Sequence, residues 1–146
     1  MKNIVISLDF DDTLVRSGKF PKFDPTPLPG CLETLEWLKG KGVKFILLTQ
    51  RDYNHVYNYI QDKAVLMKGK NVAPMSVLQD AINWCTSHGI ELIGVNENPY
   101  QGSWSLSRKV YSDIIIDDRC LGIPLTEDGV VDWIGVRKIL EERFND

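Results

Sequence analysis

Apolar and polar positions fall along the chain in blocks that read alternately as strands and helices. Ile4-Val5-Ile6-Ser7-Leu8 is a short β-branched run ending in acids, which predicts a strand buried on both faces of a parallel sheet. Residues 12–30 hold Pro21, Pro25, Pro27 and Pro29 with Phe20 and Phe23 among them, which predicts an extended loop with apolar anchors, able to fold over a site. Leu32, Leu35 and Leu38 recur at helical spacing, Glu33 and Glu36 face away, and Gly40-Lys41-Gly42 supplies a stop with cations at the C-terminal end. A second strand, Val43 to Leu48, ends abruptly at Thr49-Gln50-Arg51-Asp52, and a helix is expected over Tyr53 to Asp62. Lys68-Gly69-Lys70-Asn71 reads as a turn. The next helix runs from Ser76 to Ser87, started by Pro74 and Ser76 and ended by Gly89. Glu91 to Val95 is a third strand, and Asn96 to Ser107, rich in Asn, Pro, Gly and Ser, is an irregular crossover. Asp113-Ile114-Ile115-Ile116 is a fourth strand ending in Asp117-Asp118-Arg119, and a last amphipathic helix carries Trp133, Val136, Ile139, Leu140 and Phe144.

Strands alternating with helices imply right-handed crossovers and a mainly parallel sheet covered on both faces, so the expected fold class is α/β. In such sheets the ligand crevice lies outside the carboxyl ends of the strands. Functional information therefore concentrates at three strand ends: Asp9 to Thr13, Thr49 to Arg51, and Asp117 to Arg119.

Composition narrows the class further. The 146 residues suit one domain, 1–146, and 43% apolar with 25% charged residues is the balance of a chain that folds without metal or disulfide staples. A net charge of −3 argues against a protein whose affinity comes from neutralising a phosphate backbone. Cys31, Cys85 and Cys120 are odd in number and widely spaced, which gives neither a disulfide framework nor a zinc knuckle and points to a reducing, cytoplasmic setting. No apolar run approaches the roughly 18 residues of a membrane span, and the stretch after Met1-Lys2-Asn3 is too short for a signal peptide.

Asp9, Asp11, Asp117 and Asp118 are four carboxylates expected on one sheet edge, where mutual repulsion calls for a cation. Hard oxygen ligands of this kind suit Mg²⁺, which keeps several waters and binds a phosphate oxygen beside the protein ligands. Metal-assisted phosphoryl transfer is the chemistry that follows.

Asp9-x-Asp11-x-Thr13-Leu14 after an apolar strand, Thr49 ending the next and Asp117-Asp118 ending a later one together resemble the haloacid dehalogenase (HAD) superfamily of aspartate-nucleophile phosphatases. The run from Tyr111 to Arg119, preceded by Val95-Asn96-Glu97-Asn98-Pro99, is similar to a small subfamily of uncharacterised, capless bacterial or phage members. The resemblance implies a three-layer Rossmann-like fold without a large cap domain and a Mg²⁺-dependent phosphomonoesterase. Asp9 is implied as the nucleophile that forms an aspartyl-phosphate, and Asp11 as the acid that protonates the leaving alcohol and then the base that activates water. The metal shell is implied to be Asp9, the main-chain carbonyl of Asp11, Asp117 and Asp118, with Asp118 the preferred direct ligand, and Thr49 to bind a phosphoryl oxygen. The family's phosphate-neutralising lysine has Lys109 as its counterpart here, but Lys109 precedes Asp117 by only eight residues. At about 3.3 Å per residue the intervening strand can carry it toward the opposite edge of the sheet. Arg51, on the correct edge and able to bind phosphate bidentately, is the alternative cation, and Arg119 a third. Asp12 is expected to be a loop residue.

The expected substrate is a phosphorylated small molecule, with a nucleic-acid end phosphatase as the alternative within the enzyme reading. A catalytically idle HAD fold used as a binding module is a rival from another class. A receiver-like signalling domain needs a phospho-accepting Asp at the end of the third strand, where this chain reads Val95-Asn96-Glu97. His55 and His88 are expected at the surface and at a helix end, and Trp104 is the tryptophan to test for substrate stacking. Only 37 residues separate Asp11 from Thr49. The site is therefore expected to be covered at most by the Phe20 to Pro29 loop and the Tyr53 to Asn71 segment, leaving specificity to a bulky substrate or a partner subunit in a homo-oligomer.

Overall fold

The computed structural model describes residues 3–20, 22–52, 56–60, 63–67 and 76–145, the segments 56–60 and 63–67 by their backbone. Four strands form the central sheet: β1 (Val5–Leu8), β4 (Lys44–Leu47), β7 (Leu92–Val95) and β8 (Ile114–Ile116), in the order β7-β4-β1-β8 and all parallel. Ile6 stands beside Phe45 on one side and Ile114 on the other, and Leu8 beside Leu47 and Ile116. The strand order reverses at β1, so its carboxyl end lies at the switch point where an open α/β sheet binds ligands. The α/β class and the parallel sheet read from the sequence are as observed, with strand ends differing by a residue or so.

The helices α1 (Cys31–Gly40), α2 (Val77–Ser87) and α3 (Trp133–Arg143) occupy the segments their periodicity indicated. Ser76 caps α2 by accepting from the Gln79 amide at 3.1 Å, and Asp132 caps α3 by accepting from the amides of Ile134 and Gly135. Pro74 lies outside the described residues. The period of two along each strand decides the packing. Ile6, Leu8, Phe45, Leu47 and Ile116 share one apolar cluster with Leu35 and Leu38 of α1, Ala81, Trp84 and Cys85 of α2, and Trp133, Val136 and Leu140 of α3. Ser7, Ile46 and Ile115, neighbours across the sheet on the other face, lie outside that cluster. All three described helices thus draw on one sheet face, and the second helical layer expected from a three-layer fold is not among the described helices. The reason is the crossover from β7 to β8, which forms only a single 3-10 turn, Gln101–Ser103, in the irregular segment.

Two expectations are corrected. The Pro-rich stretch after β1 is a hairpin of β2 (Val15–Ser17) and β3 (Phe23–Pro27), with its register irregular between Val15 and Ser17. A two-stranded ribbon is all edge, so Pro25 and Pro27 lacking a donor is tolerated in β3. Trp84 Nε1 donates to the Pro25 carbonyl at 2.7 Å, and Phe10 packs edge-on against both Phe23 and Trp84, which fixes this hairpin to α2. The helix expected over 53–62 is replaced by an antiparallel pair, β5 (Val56–Ile60) and β6 (Lys63–Met67). Val56-Tyr57-Asn58-Tyr59-Ile60 is β-branched and aromatic, and that preference prevails over the helical reading. His55 and the Lys68 to Asn71 turn lie outside the described residues. No helix of the described residues is long and apolar enough to cross a membrane.

Candidate metal and phosphate site

The chain leaves β1 in a tight knot that aims its acids. The Asp9 amide donates to the Ile116 carbonyl at 3.0 Å, continuing the β1–β8 pairing by one residue, and Phe10 turns back into the core. Asp12 takes the left-handed conformation at φ 60°, which Asp tolerates better than most residues, and its carboxylate accepts from the Ser17 amide and hydroxyl, each at 2.8 Å. Asp12 is therefore the loop residue the sequence suggested, tying the knot to β2. Trp133, wholly buried at the start of α3, donates its indole N–H to the Thr13 carbonyl at 2.6 Å, and the Val131 amide donates to the Asp12 carbonyl at 2.9 Å.

Thr13 is the functional residue the sequence reading left without a role. Its buried hydroxyl lies 3.0 Å from Asp9 Oδ2 and 3.4 Å from Asp118 Oδ1, and it accepts from the Asp118 amide at 3.0 Å. The one hydroxyl proton favours the shorter contact, so Thr13 donates to Asp9 while receiving from the loop after β8. One side chain thereby sets the spacing of two acidic loops. Its place four residues after Asp9 in the Asp-x-Asp-x-Thr run was the available signal.

One carboxylate oxygen each from Asp9, Asp117 and Asp118 lies within 4.8 Å of the others. Asp117 also accepts from the Arg119 amide at 2.9 Å, which turns the chain directly after β8. Burial, a hydrogen bond with Asp118 and the charge of Asp117 push Asp9 up to about 8, against the lowering influence of Thr13 and the Phe10 amide. Asp118 is raised as well, chiefly by burial. A crowded carboxylate that holds its proton near neutrality, as Asp9 does, is a group from which a divalent cation would displace that proton. Oxygens on one Mg²⁺ at about 2.1 Å lie at most about 4.2 Å apart, so small side-chain adjustments let these three meet one ion. The all-oxygen donor set fits Mg²⁺ and not a soft metal.

The Asp11 carboxylate stands outside this group. It receives both arms of Arg51, Nε to Oδ2 at 2.8 Å and Nη2 to Oδ1 at 2.7 Å. The Arg51 side chain is wholly buried, although the sequence reading placed it at a phosphate. Thr49, just past β4, accepts from the Arg51 amide at 3.2 Å and donates its own amide to Asn96 Oδ1 at 2.8 Å, which links the ends of β4 and β7. Asn96 adopts φ 54° there, and Gly94 has no side chain because a Cβ would meet the Glu97 carbonyl oxygen. Thr49 is thus on the expected sheet edge.

No contact among the described residues brings Lys109 to the acids. It is exposed, precedes the amino end of β8, and is held through its backbone: its amide donates to Ser107 Oγ and its carbonyl accepts from the buried Gln101 side chain at 2.8 Å. The Asp113 amide pairs with the Val5 carbonyl at the amino end of β1, which puts the intervening strand between Lys109 and the Asp117 edge. His88 is the C-cap of α2 and stacks on Trp84 with ring centroids 4.1 Å apart. Trp104, 63% exposed, packs edge-on against Tyr111.

No family model matches the chain, and no curated protein matches it. Among solved structures it is similar to one described as the structure of the conserved protein coded by a locus from Bacteroides thetaiotaomicron. The two are 25% identical with a TM-score of 0.64, over 97% of this chain and 93% of that one. The likeness extends over nearly the whole length of both chains, in keeping with the Rossmann-like α/β arrangement described above.

Proposed function

We propose that the protein is a Mg²⁺-dependent phosphomonoesterase of the HAD type, acting on a phosphorylated small molecule through an aspartyl-phosphate on Asp9. The observation that carries this reading is the convergence of Asp9, Asp117 and Asp118 at the switch point of a parallel sheet, with Asp11 two residues from Asp9 and held apart from them.

In this reading Asp9, Asp117 and Asp118 hold the cation, with the Asp11 carbonyl joining them. When bound, Mg²⁺ offsets the repulsion between the Asp9 carboxylate and the incoming phosphoryl group and keeps the attack in line. Asp9 supplies one oxygen to phosphorus as the bond to the leaving alcohol breaks, and Asp11 delivers its proton to that departing oxygen. Asp11 then takes a proton from water as the water oxygen bonds to phosphorus and the Asp9–phosphorus linkage breaks, which returns Asp9 and releases phosphate. Thr13 holds Asp9 by Oδ2. Thr49 offers a hydroxyl to a phosphoryl oxygen from the neighbouring strand end.

A second reading, a metal-binding module without turnover, draws on Lys109, whose exposed position leaves the expected phosphate-neutralising cation away from the acids. The two separate in one experiment. Steady-state hydrolysis of an aryl phosphate is measured with Mg²⁺ and with chelator, beside calorimetric titration of Mg²⁺. Turnover that needs Mg²⁺ and is lost in Asp9→Asn supports the enzyme. Mg²⁺ binding without hydrolysis across a broad phosphomonoester panel supports the module.

A further inference from the structure

Arg51 is an unusual expenditure of charge. Its side chain is fully buried, both of its forked contacts go to Asp11, and Nη1 donates to the Val77 carbonyl at the first residue of α2, at 3.1 Å. Three rings stand around the guanidinium carbon, Phe10 and Phe20 at 5.2 Å and Phe23 at 5.3 Å from their centroids. The residue thus joins the end of β4, the knot after β1, the β2–β3 hairpin and α2. An apolar side chain of similar volume would hold these elements together at a lower desolvation cost, so a buried ion pair here calls for a role beyond packing. Its partner supplies one. Asp11 lies two residues from Asp9, yet its carboxylate is not one of the three that converge and is held instead by the planar fork of Arg51.

We propose that Arg51 is the positioning residue for Asp11, and not a phosphate ligand: it keeps the Asp11 carboxylate out of the cation's ligand set and in one orientation, as the proton carrier of the reaction. The inference rests on the functional reading above. Two contacts fix both position and plane of the carboxylate, which one contact from a lysine does not do. The fork engages both oxygens of the carboxylate form, the form that takes a proton from water; when Asp11 carries its proton, one oxygen bears it and the other keeps the guanidinium.

A proton carrier matters in proportion to how poor the leaving group is. Phosphoryl transfer from 2,4-dinitrophenyl phosphate releases a phenolate that needs no proton, whereas transfer from an alkyl phosphate does. The test is the pre-steady-state burst of released alcohol from these two esters, with Mg²⁺ saturating, for wild type, Arg51→Lys, Arg51→Met, Asp11→Asn and Arg51→Met/Asp11→Asn. The ratio of alkyl to aryl burst rates is expected to fall about 100-fold in Asp11→Asn, and by a similar factor in Arg51→Met. The double variant is expected to match Asp11→Asn alone, because residues that act as a unit are not additive. Arg51→Lys, which keeps the charge and most of the packing but loses the fork, is expected to retain the low ratio with circular dichroism and Mg²⁺ titration like wild type; it and the double variant, which leaves no unpaired carboxylate at position 11, carry the test where Arg51→Met does not fold. An equal loss on both esters with a raised KM would make Arg51 a phosphate ligand and overturn the proposal. So would full rescue by lysine, or a double variant as impaired as the product of the single losses. A wild type that hydrolyses either ester through Asp9 but gives no leaving-group split among the variants overturns this proposal alone. A wild type that binds Mg²⁺ and releases alcohol from neither ester overturns the functional reading together with it.

Discussion

Without a cation at Asp9, Asp117 and Asp118, the fold should be pH-sensitive in a direction opposite to ordinary acid unfolding. Asp9 is raised from 3.8 to about 8 in the metal-free fold, first by burial, then by its bond with Asp118 and the charge of Asp117. Between those two values the folded chain holds a proton that the unfolded chain has lost. The unfolding free energy then changes with pH in proportion to protons bound unfolded minus protons bound folded, which is negative here, so stability falls as pH rises. One proton corresponds to about 1.4 kcal/mol per pH unit, and the slope flattens above about pH 8, where the folded chain has released it as well. Urea unfolding at half-unit steps from pH 5.5 to 8.0, in chelator, should give that slope. The window avoids the ordinary carboxylates, which titrate near pH 4. Saturating Mg²⁺, which takes the proton's place, should flatten the curve and stabilise the protein most at the alkaline end. Asp9→Asn should flatten it without metal, and the difference between the two chains isolates the Asp9 proton. A metal-free wild type whose slope matches Asp9→Asn, or rises with pH, would refute the description of the acidic cluster.

Other perturbations test the supports of the site. Arg51→Met leaves the Asp11 carboxylate without its buried partner and should cost about 3 kcal/mol, read as a fall in Tm of about 6 to 12 °C for a chain of this size. A loss under about 1 kcal/mol would mean that Asp11 finds solvent instead. Thr13→Val removes the hydroxyl shared between Asp9 and the Asp118 amide and should weaken Mg²⁺ binding about tenfold by calorimetry, as loss of an orienting partner does. Unchanged affinity would show that the two loops are spaced by other contacts. Trp84→Phe keeps the ring but deletes the bond to the Pro25 carbonyl, with an expected loss of about 1 kcal/mol and faster amide exchange in the β2–β3 hairpin. Exchange raised evenly over the whole sheet would deny the indole a local anchoring role.

What the sequence disclosed and what it concealed divide along physical lines. Ile4 to Leu8, Phe45 to Leu47 and Ile114 to Ile116 are apolar runs that stop at polar residues, and in a parallel sheet that boundary is also the functional edge, so strands and acids were legible together. Helix α1 was legible because apolar spacing and a glycine stop agreed, and α2 because the Ser76 cap and the Gly89 stop bracket it. The Val56 to Ile60 strand was misread because its few residues offer both a helical and an extended reading, and its β-branched and aromatic content decides between them. Prolines hid β3, since they mark loops unless the strand has a free edge to place them on. Arg51 and Asp11 are 40 residues apart, and nothing local in either segment indicates that they pair. Thr13 was visible as part of a motif, but a hydroxyl serving two loops is a fact of three dimensions. Lys109 shows the converse: a residue of suitable type near the acids in sequence is displaced from them by the length of one strand.

The most direct test of the central claim is to trap the phosphoryl group on the chain. The protein is mixed with an aryl phosphate and Mg²⁺ and quenched in acid within the first turnover; intact mass reads the added phosphoryl group, and borohydride reduction, which expels phosphate and converts the phosphorylated aspartate to homoserine, marks its position for peptide mass spectrometry. The account predicts one phosphoryl group, on Asp9, absent in Asp9→Asn and in chelator. Sustained turnover by Asp9→Asn, or a phosphoryl group on any other residue, would contradict it.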